Sequence, residues 1–203
     1  MKKLVAAAMI AASTWAGAAQ ASVHTFEFTG TLYWLSIEGN GNGWEPSTTV
    51  KAGDTYIGRF TLDTSTPVLA NYPYGVEYGG GGAGAFEYTI TQSGLHYVRD
   101  EIPGVVVYND TQAGGVIVND GFSIGYGQHL DHETAGILLV DNTATVFNNT
   151  AIPTQLDRAR FDLGGLITGW DSPLGFVRAR GTIDGLHEVS AVPEPSTYAM
   201  LLA

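Results

Sequence analysis

Phe86-Glu87-Tyr88-Thr89-Ile90-Thr91, followed by Ser93-Gly94 and then Leu95-His96-Tyr97-Val98, is the stretch on which the fold turns. Phe86, Tyr88 and Ile90 alternate with Glu87, Thr89 and Thr91, and in a pleated strand that alternation puts three large apolar side chains on one face. Ser93-Gly94 has the two-residue spacing of a tight hairpin, in which glycine accepts positive φ at no steric cost. A half-buried hairpin of this kind needs further strands to cover its apolar face.

The rest of the chain supplies them. Thr25-Phe26-Glu27-Phe28-Thr29 and Tyr56-Ile57-Gly58-Arg59-Phe60-Thr61-Leu62 repeat the alternation. Gly104-Val105-Val106-Val107-Tyr108 is apolar on both faces, which predicts a central strand covered on both sides. Asn119-Asp120-Gly121, between Val116-Ile117-Val118 and Phe122-Ser123-Ile124, reads as another hairpin turn. Segments 137–140, 160–167 and 176–183 complete the set, with Arg178 and Arg180 on one face of the last and Val177 and Ala179 on the other. With 27 glycines and hardly a segment of helical period, the expectation is an all-β chain: a single β-sandwich or jelly-roll-like domain of about ten antiparallel strands. Two loops are expected to be long, 39–52 and 64–84, and no internal linker or repeat divides the chain.

The ends differ from this body. Lys2-Lys3, the apolar run from Leu4 to Ala12 and the small residues Ala19 and Ala21 form the pattern of a secretory signal peptide, residues 1–21, cut after Ala21. The apolar run is shorter than the ~20 residues a membrane span needs. The domain is then 22–190, about 170 residues and enough for one core. Removal of Lys2 and Lys3 leaves seven basic residues against 20 acidic ones, a formal charge of −13. Such a surface repels nucleic acid and anionic lipid. The absence of cysteine excludes disulfides, thiol catalysis and Cys-ligated zinc, so stability must come from the core or a bound ion.

Near the C-terminus, Val192-Pro193-Glu194-Pro195-Ser196-Thr197 precedes the apolar Tyr198-Ala199-Met200-Leu201-Leu202-Ala203. Two prolines with fixed φ and no N–H end the folded domain upstream of them. Pro193, Glu194 and Pro195 with the apolar run resemble the PEP-CTERM sorting signal of exopolysaccharide-producing Gram-negative bacteria, here 191–203 and without the basic cluster that completes it. The resemblance implies export and signal peptidase cleavage, transient association with the inner membrane and processing by an exosortase. It also implies residence at the cell surface or in an extracellular matrix, with exopolysaccharide as a partner. The body adds a weaker likeness to proteins bearing this signal, in Phe28-Thr29-Gly30-Thr31, Gly53-Asp54-Thr55 with Gly58-Arg59-Phe60-Thr61, Asp63-Thr64-Ser65-Thr66-Pro67 and Pro153-Thr154-Gln155-Leu156-Asp157. That group carries no activity onto named residues.

Several motifs invite chemistry. Gly121-Phe122-Ser123-Ile124-Gly125 fits G-x-S-x-G, with Asp162, Asp171, Asp184 and His187 downstream. A nucleophile elbow, however, needs a helix after the serine, and a strand serine is expected. The run Gly79 to Gly84 leads into a strand rather than a helix N-terminus, so it is no phosphate cradle. His129, Asp131, His132 and Glu133 could meet one ion if His24, His96 or His187 came near, which is the basis of a metal-dependent enzyme as an alternative reading. Asn109-Asp110, Asn119-Asp120 and Asp141-Asn142 leave room for a structural calcium, though none follows the EF-hand loop, and no other cofactor is expected. Trp44, Tyr72, Tyr74, Tyr78 and Trp170 have faces suited to stacking on sugar rings, the basis of a carbohydrate-binding alternative. The leading expectation is a secreted, non-catalytic protein of the cell surface or matrix.

Overall fold

In a computed structural model of the chain, the described residues are 22–37, 49–79, 85–99, 104–113, 116–126, 135–172 and 175–192. They form one antiparallel sheet of 11 strands, curled into a half-barrel. The strands are β1 (Val23–Ile37), β2 (Thr55–Asp63), β3 (Val68–Tyr72), β4 (Gly75–Tyr78), β5 (Phe86–Ile90), β6 (His96–Arg99), β7 (Gly104–Ala113), β8 (Val116–Tyr126), β9 (Ala135–Asp141), β10 (Leu163–Ser172) and β11 (Gly175–Val192). Their order across the sheet is β3-β4-β7-β8-β9-β10-β11-β1-β2-β5-β6. Among the described residues the only helical element is a 3-10 turn at Arg158–Arg160, capped by Asp157. The all-β antiparallel class read from the sequence is therefore the class of the structure.

Alternation decides which face of each strand turns inward. Phe26, Phe28, Tyr56, Phe60, Phe86, Tyr88, Ile90, Phe122, Ile124 and Leu139 are buried, and each comes from the apolar positions of its strand. Burying a large apolar side chain contributes roughly 1.5–3 kcal/mol. Curling brings the two halves of the sheet together: Phe60 of β2 meets Phe122 of β8 with ring centroids 6.1 Å apart, although four strands separate them in the sheet. Val105, Val106 and Val107 are all buried, as the doubly apolar β7 requires.

At the centre of the sheet, the first and last strands pair. β1 and β11 run antiparallel from Val23↔Val192 to Ile37↔Val177, with irregularities at Thr25/Phe26, Thr29/Gly30 and Leu32/Trp34. Gly30 is obligatory here, because a Cβ would meet the Thr182 carbonyl and the Tyr56 hydroxyl. The Tyr56 ring crosses β1 at that gap, and its hydroxyl donates to the Thr182 carbonyl on β11. Burial, then the nearby Asp184 charge, raises the phenol well above its ordinary range.

Three local expectations are corrected. The β5–β6 turn is longer than Ser93-Gly94: Ile90 N–H donates to Leu95 O at 2.9 Å, Gly94 N–H to Ile90 O at 2.9 Å, and Gly94 takes φ +71°. Thr91 to Gly94 thus form a four-residue loop. Asn119-Asp120-Gly121 is no turn but the middle of β8, where Asp120 pairs with Asp141 and Gly121 with Val140. Its residue types have packing reasons: the Asp120 carboxylate binds the half-buried N–H groups of Asp110 and Phe147, and the Tyr108 ring occupies the space beside Gly121. Segment 64–84, expected to be a loop, contains the β3–β4 hairpin, with Tyr72 paired to Gly75.

Candidate functional site

The β3–β4 hairpin and β7 place aromatic residues on the outer surface. Gly75 pairs with Tyr72 on one side and Tyr108 on the other, so two tyrosines flank a glycine at one level of the sheet. A Cβ at Gly75 would lie 2.8 Å from the Tyr108 ring, which leans over it. Tyr72 is 47% and Tyr74 42% exposed. The Tyr72 hydroxyl donates to Glu77 Oε2 at 2.8 Å, fixing the ring against the carboxylate two residues beyond Gly75. That hydrogen bond and the Glu77 charge raise the Tyr72 phenol above its ordinary value. Tyr108 is raised first by burial and then by Glu77 and Tyr74. Raised in this way, the Tyr72 and Tyr108 phenols stay neutral hydroxyls at physiological pH, able to donate and accept beside the exposed rings of Tyr72 and Tyr74.

The other aromatic candidates have different surroundings. Tyr78 packs against the core and donates its hydroxyl to Thr150 O at 2.7 Å; burial raises its phenol. Trp170 lies within β10 rather than in a loop and also packs against the core. Trp44 lies outside the described residues, as do His129, Asp131, His132 and Glu133, the signal segment with Ala19 and Ala21, and Pro193, Glu194 and Pro195.

The three described histidines are engaged locally and apart. His96 Nδ1 is 2.9 Å from Thr89 Oγ1, and His187 Nε2 is 3.8 Å from Glu27. His24 Nδ1 is 2.8 Å from Glu188 Oε1, and its Nε2 is 2.7 Å from Ser22 Oγ. This Ser-His-Glu chain has the connectivity of a nucleophile relay, but the backbone around Ser22 is spent on Thr64. Ser22 N–H donates to Thr64 Oγ1 at 3.0 Å, and Thr64 N–H donates to Ser22 O at 3.1 Å. The group therefore clasps the start of β1 to the β2–β3 turn and to β11. Ser123 and His187 lie on β8 and β11, three strands apart and so roughly 14 Å laterally at about 4.8 Å per strand.

The Asx carboxylates are likewise occupied. Asp120 Oδ1 accepts Asp110 N–H at 2.9 Å, and Oδ2 accepts Phe147 N–H at 2.8 Å. Asp141 accepts from Thr143 N–H and Oγ1, from Thr145 N–H, and from Val146 N–H at 3.2 Å. Burial alone would push the Asp141 carboxyl up; the Thr143 hydroxyl and the Thr145, Thr143 and Val146 N–H groups outweigh it and lower the carboxyl to about 2. Among the described residues no group of three or more His, Cys, Asp or Glu is placed to hold a metal ion.

A cleft of about 470 Å³ opens beside this loop, lined by 145–149, 151–154 and Arg160. Arg160 donates to Val146 O at 3.1 Å, so its guanidinium braces the loop. The lining offers amides and hydroxyls but no Asp, Glu or His, which suits hydrogen bonding and not acid–base chemistry. Glu77 and Tyr108 escape a sequence reading that seeks aromatic loops, since both lie in strands; only their outward register, on the face opposite Tyr78 and Val107, which meet the core, could mark them.

No family model, characterised protein or solved structure matches the chain.

Proposed function

We propose that this is an exported, non-catalytic protein of the cell surface or extracellular matrix that contacts polysaccharide through the outer face of the β3–β4 hairpin. The observation that carries the reading is the exposed Tyr72 ring held by Glu77, with exposed Tyr74 in the same hairpin and the Tyr108 ring beside Gly75. Aromatic faces stack on the apolar faces of sugar rings, and a carboxylate and phenols beside them hydrogen-bond the ring hydroxyls. Orientation fixed in advance by the Tyr72–Glu77 hydrogen bond reduces the ordering cost on binding. The signal-peptide pattern of 1–21 and the resemblance of 191–203 to the PEP-CTERM segment support export and sorting by an exosortase.

Affinity electrophoresis of the full chain through gels containing purified matrix polysaccharide or a neutral glucan tests the contact. Retardation that weakens in Tyr74→Ala is expected, and equal mobility with and without polymer would end the reading. For sorting, unchanged secretion with and without an appended apolar and basic tail would mean that Pro193-Glu194-Pro195 does not act as a signal.

A further inference from the structure

The connection between β9 and β10, residues 142–162, is the longest described segment outside the strands, and its one regular element is the 3-10 turn at Arg158–Arg160. Connections of this length inside a domain are uncommon and usually functional. Groups behind the segment hold it in one shape. Asp141 accepts the N–H groups of Thr143, Thr145 and Val146, Asp120 that of Phe147, and Asp162 that of Asn142. The Tyr78 hydroxyl donates to Thr150 O, and Arg160 Nη2 donates to Val146 O at 3.1 Å. Phe147 packs on Phe161 with ring centroids 5.9 Å apart, and Ile152 is buried.

The side chains that line the cleft in this segment keep hydrogen-bonding capacity. Asn148 spends its Oδ1 on Asn149 Nδ2 at 2.7 Å, and its own Nδ2 has no acceptor among the described residues. Thr154 Oγ1 has no partner among them either, and Arg160 uses only Nη2, which leaves Nε and Nη1. All three residues are exposed, while Phe147 and Ile152 give the lining an apolar part. The volume of about 470 Å³ falls within the range of small-ligand sites, roughly 300–1,000 Å³. The one charge in the lining is the Arg160 guanidinium, in a chain of 20 acidic and nine basic residues. The acids of the segment and its borders, Asp141, Asp157 and Asp162, are turned to backbone N–H groups of Thr145, Ala159 and Asn142.

We propose that this cleft binds a uronate unit, a sugar ring carrying one carboxylate, supplied as a free sugar acid or as the end of a polysaccharide. The site is separate from the β3–β4 hairpin and does not rest on the contact proposed there. The free N–H groups of Arg160 meet the carboxylate in charge-assisted hydrogen bonds. The Asn148 amide and the Thr154 hydroxyl serve the ring hydroxyls, and Phe147 and Ile152 offer apolar surface to the C–H face of the sugar. A neutral sugar forgoes the charged contact. A phosphate monoester carries about −1.5 to −2 at neutral pH, more than one guanidinium offsets in an acidic surface. Because Asp120, Asp141 and Tyr78 fix the segment beforehand, binding orders little that was free.

The test is a ligand-observed NMR titration of the full chain with galacturonate, galactose and glucose 6-phosphate, with thermal midpoints recorded for every variant. Galacturonate should bind about tenfold more tightly than either of the others, as charge-assisted hydrogen bonds give. Asn148→Asp keeps the acceptor for Asn149 Nδ2 and the Arg160 brace but adds a negative charge to the lining; it should weaken galacturonate by about tenfold and galactose by less than about twofold. Thr154→Val removes a hydroxyl that holds nothing else and should weaken both sugars by about threefold. The proposal is overturned by an absence of saturable galacturonate binding, by equal affinity for galactose, by tighter binding of glucose 6-phosphate, or by unchanged galacturonate affinity in Asn148→Asp or Thr154→Val. Tyr74→Ala separates the two sites: it should leave galacturonate affinity unchanged, and a loss as large as that in Asn148→Asp would remove the cleft as the site. Trigalacturonate distinguishes the sources, since affinity equal to that of galacturonate marks a polymer end and affinity about tenfold lower marks a free sugar acid.

Discussion

The Tyr88 hydroxyl of β5 and Thr168 Oγ1 of β10 lie 2.6 Å apart in the buried interior, on strands separated by three others in the sheet. The pair joins the two halves of the half-barrel by a polar contact inside an apolar core, where an unpaired hydroxyl costs about 1–3 kcal/mol. Tyr88→Phe should therefore lower stability by about that amount in urea denaturation. Tyr88→Phe/Thr168→Val should recover most of the loss, since both polar atoms leave together; a double variant as unstable as the sum of its parts would deny the coupling.

Gly30→Ala should destabilise by about 3 kcal/mol or more, because its Cβ would strike the Thr182 carbonyl and the Tyr56 ring at the β1–β11 junction. Gly53→Ala is the comparison. Nothing lies within 4 Å of its Cβ, and only its φ of +96° opposes it, a cost of about 1–2 kcal/mol. Denaturant midpoints of the two variants in the reverse order would contradict the structural account.

Asp141 gives acid sensitivity a definite sign. Its carboxyl is lowered to about 2 in the folded chain from an ordinary value of 3.8, so the folded state favours the ionised form. The stability this contributes is complete above the unfolded value and is lost as pH falls through the folded one. In urea midpoints measured at pH 6, 4 and 2.5, the wild type should fall more steeply toward acid than Asp141→Asn. The variant should already be weaker at pH 6, where an amide cannot accept the five N–H and O–H donors that the carboxylate does. Parallel acid limbs would remove Asp141 from the account.

Tyr74→Ala and Tyr78→Ala should divide binding from stability. The exposed Tyr74 should lose polysaccharide affinity by about fivefold, in line with roughly 1 kcal/mol for a ring contact, with its thermal midpoint almost unchanged. Tyr78, packed on the core and bonded to Thr150 O, should lower the midpoint by several degrees. Calorimetric scans beside the gel assay report both quantities.

Alternation at Phe86, Tyr88 and Ile90, at Phe26 and Phe28, and at Val177 and Ala179 was enough to assign strands and their inward faces, because the period of two is a local property of the pleat. The triple valine of β7 revealed its double burial for the same reason. Turn chemistry was less transferable. Asn119-Asp120-Gly121 has hairpin composition, yet Asp120 is held by N–H donors from Asp110 and Phe147, distant partners that override a local preference. The tyrosines of the β3–β4 hairpin were visible as residues but not as a surface. Whether Tyr74 faces solvent and Tyr78 the core depends on how β4 registers against β7.

By itself the sequence determined the class: antiparallel strands around an aromatic core, strong negative charge, no thiol chemistry, and ends that differ from the body. Only the tertiary structure decided that β1 and β11, more than 130 residues apart at their closest, pair at the centre of the sheet, and that Trp34 therefore lies beneath Arg180. Pleat periodicity is written into neighbouring residues, whereas strand order and register come from packing the whole chain around one core. The exposed aromatic and cationic surfaces arise at that second level.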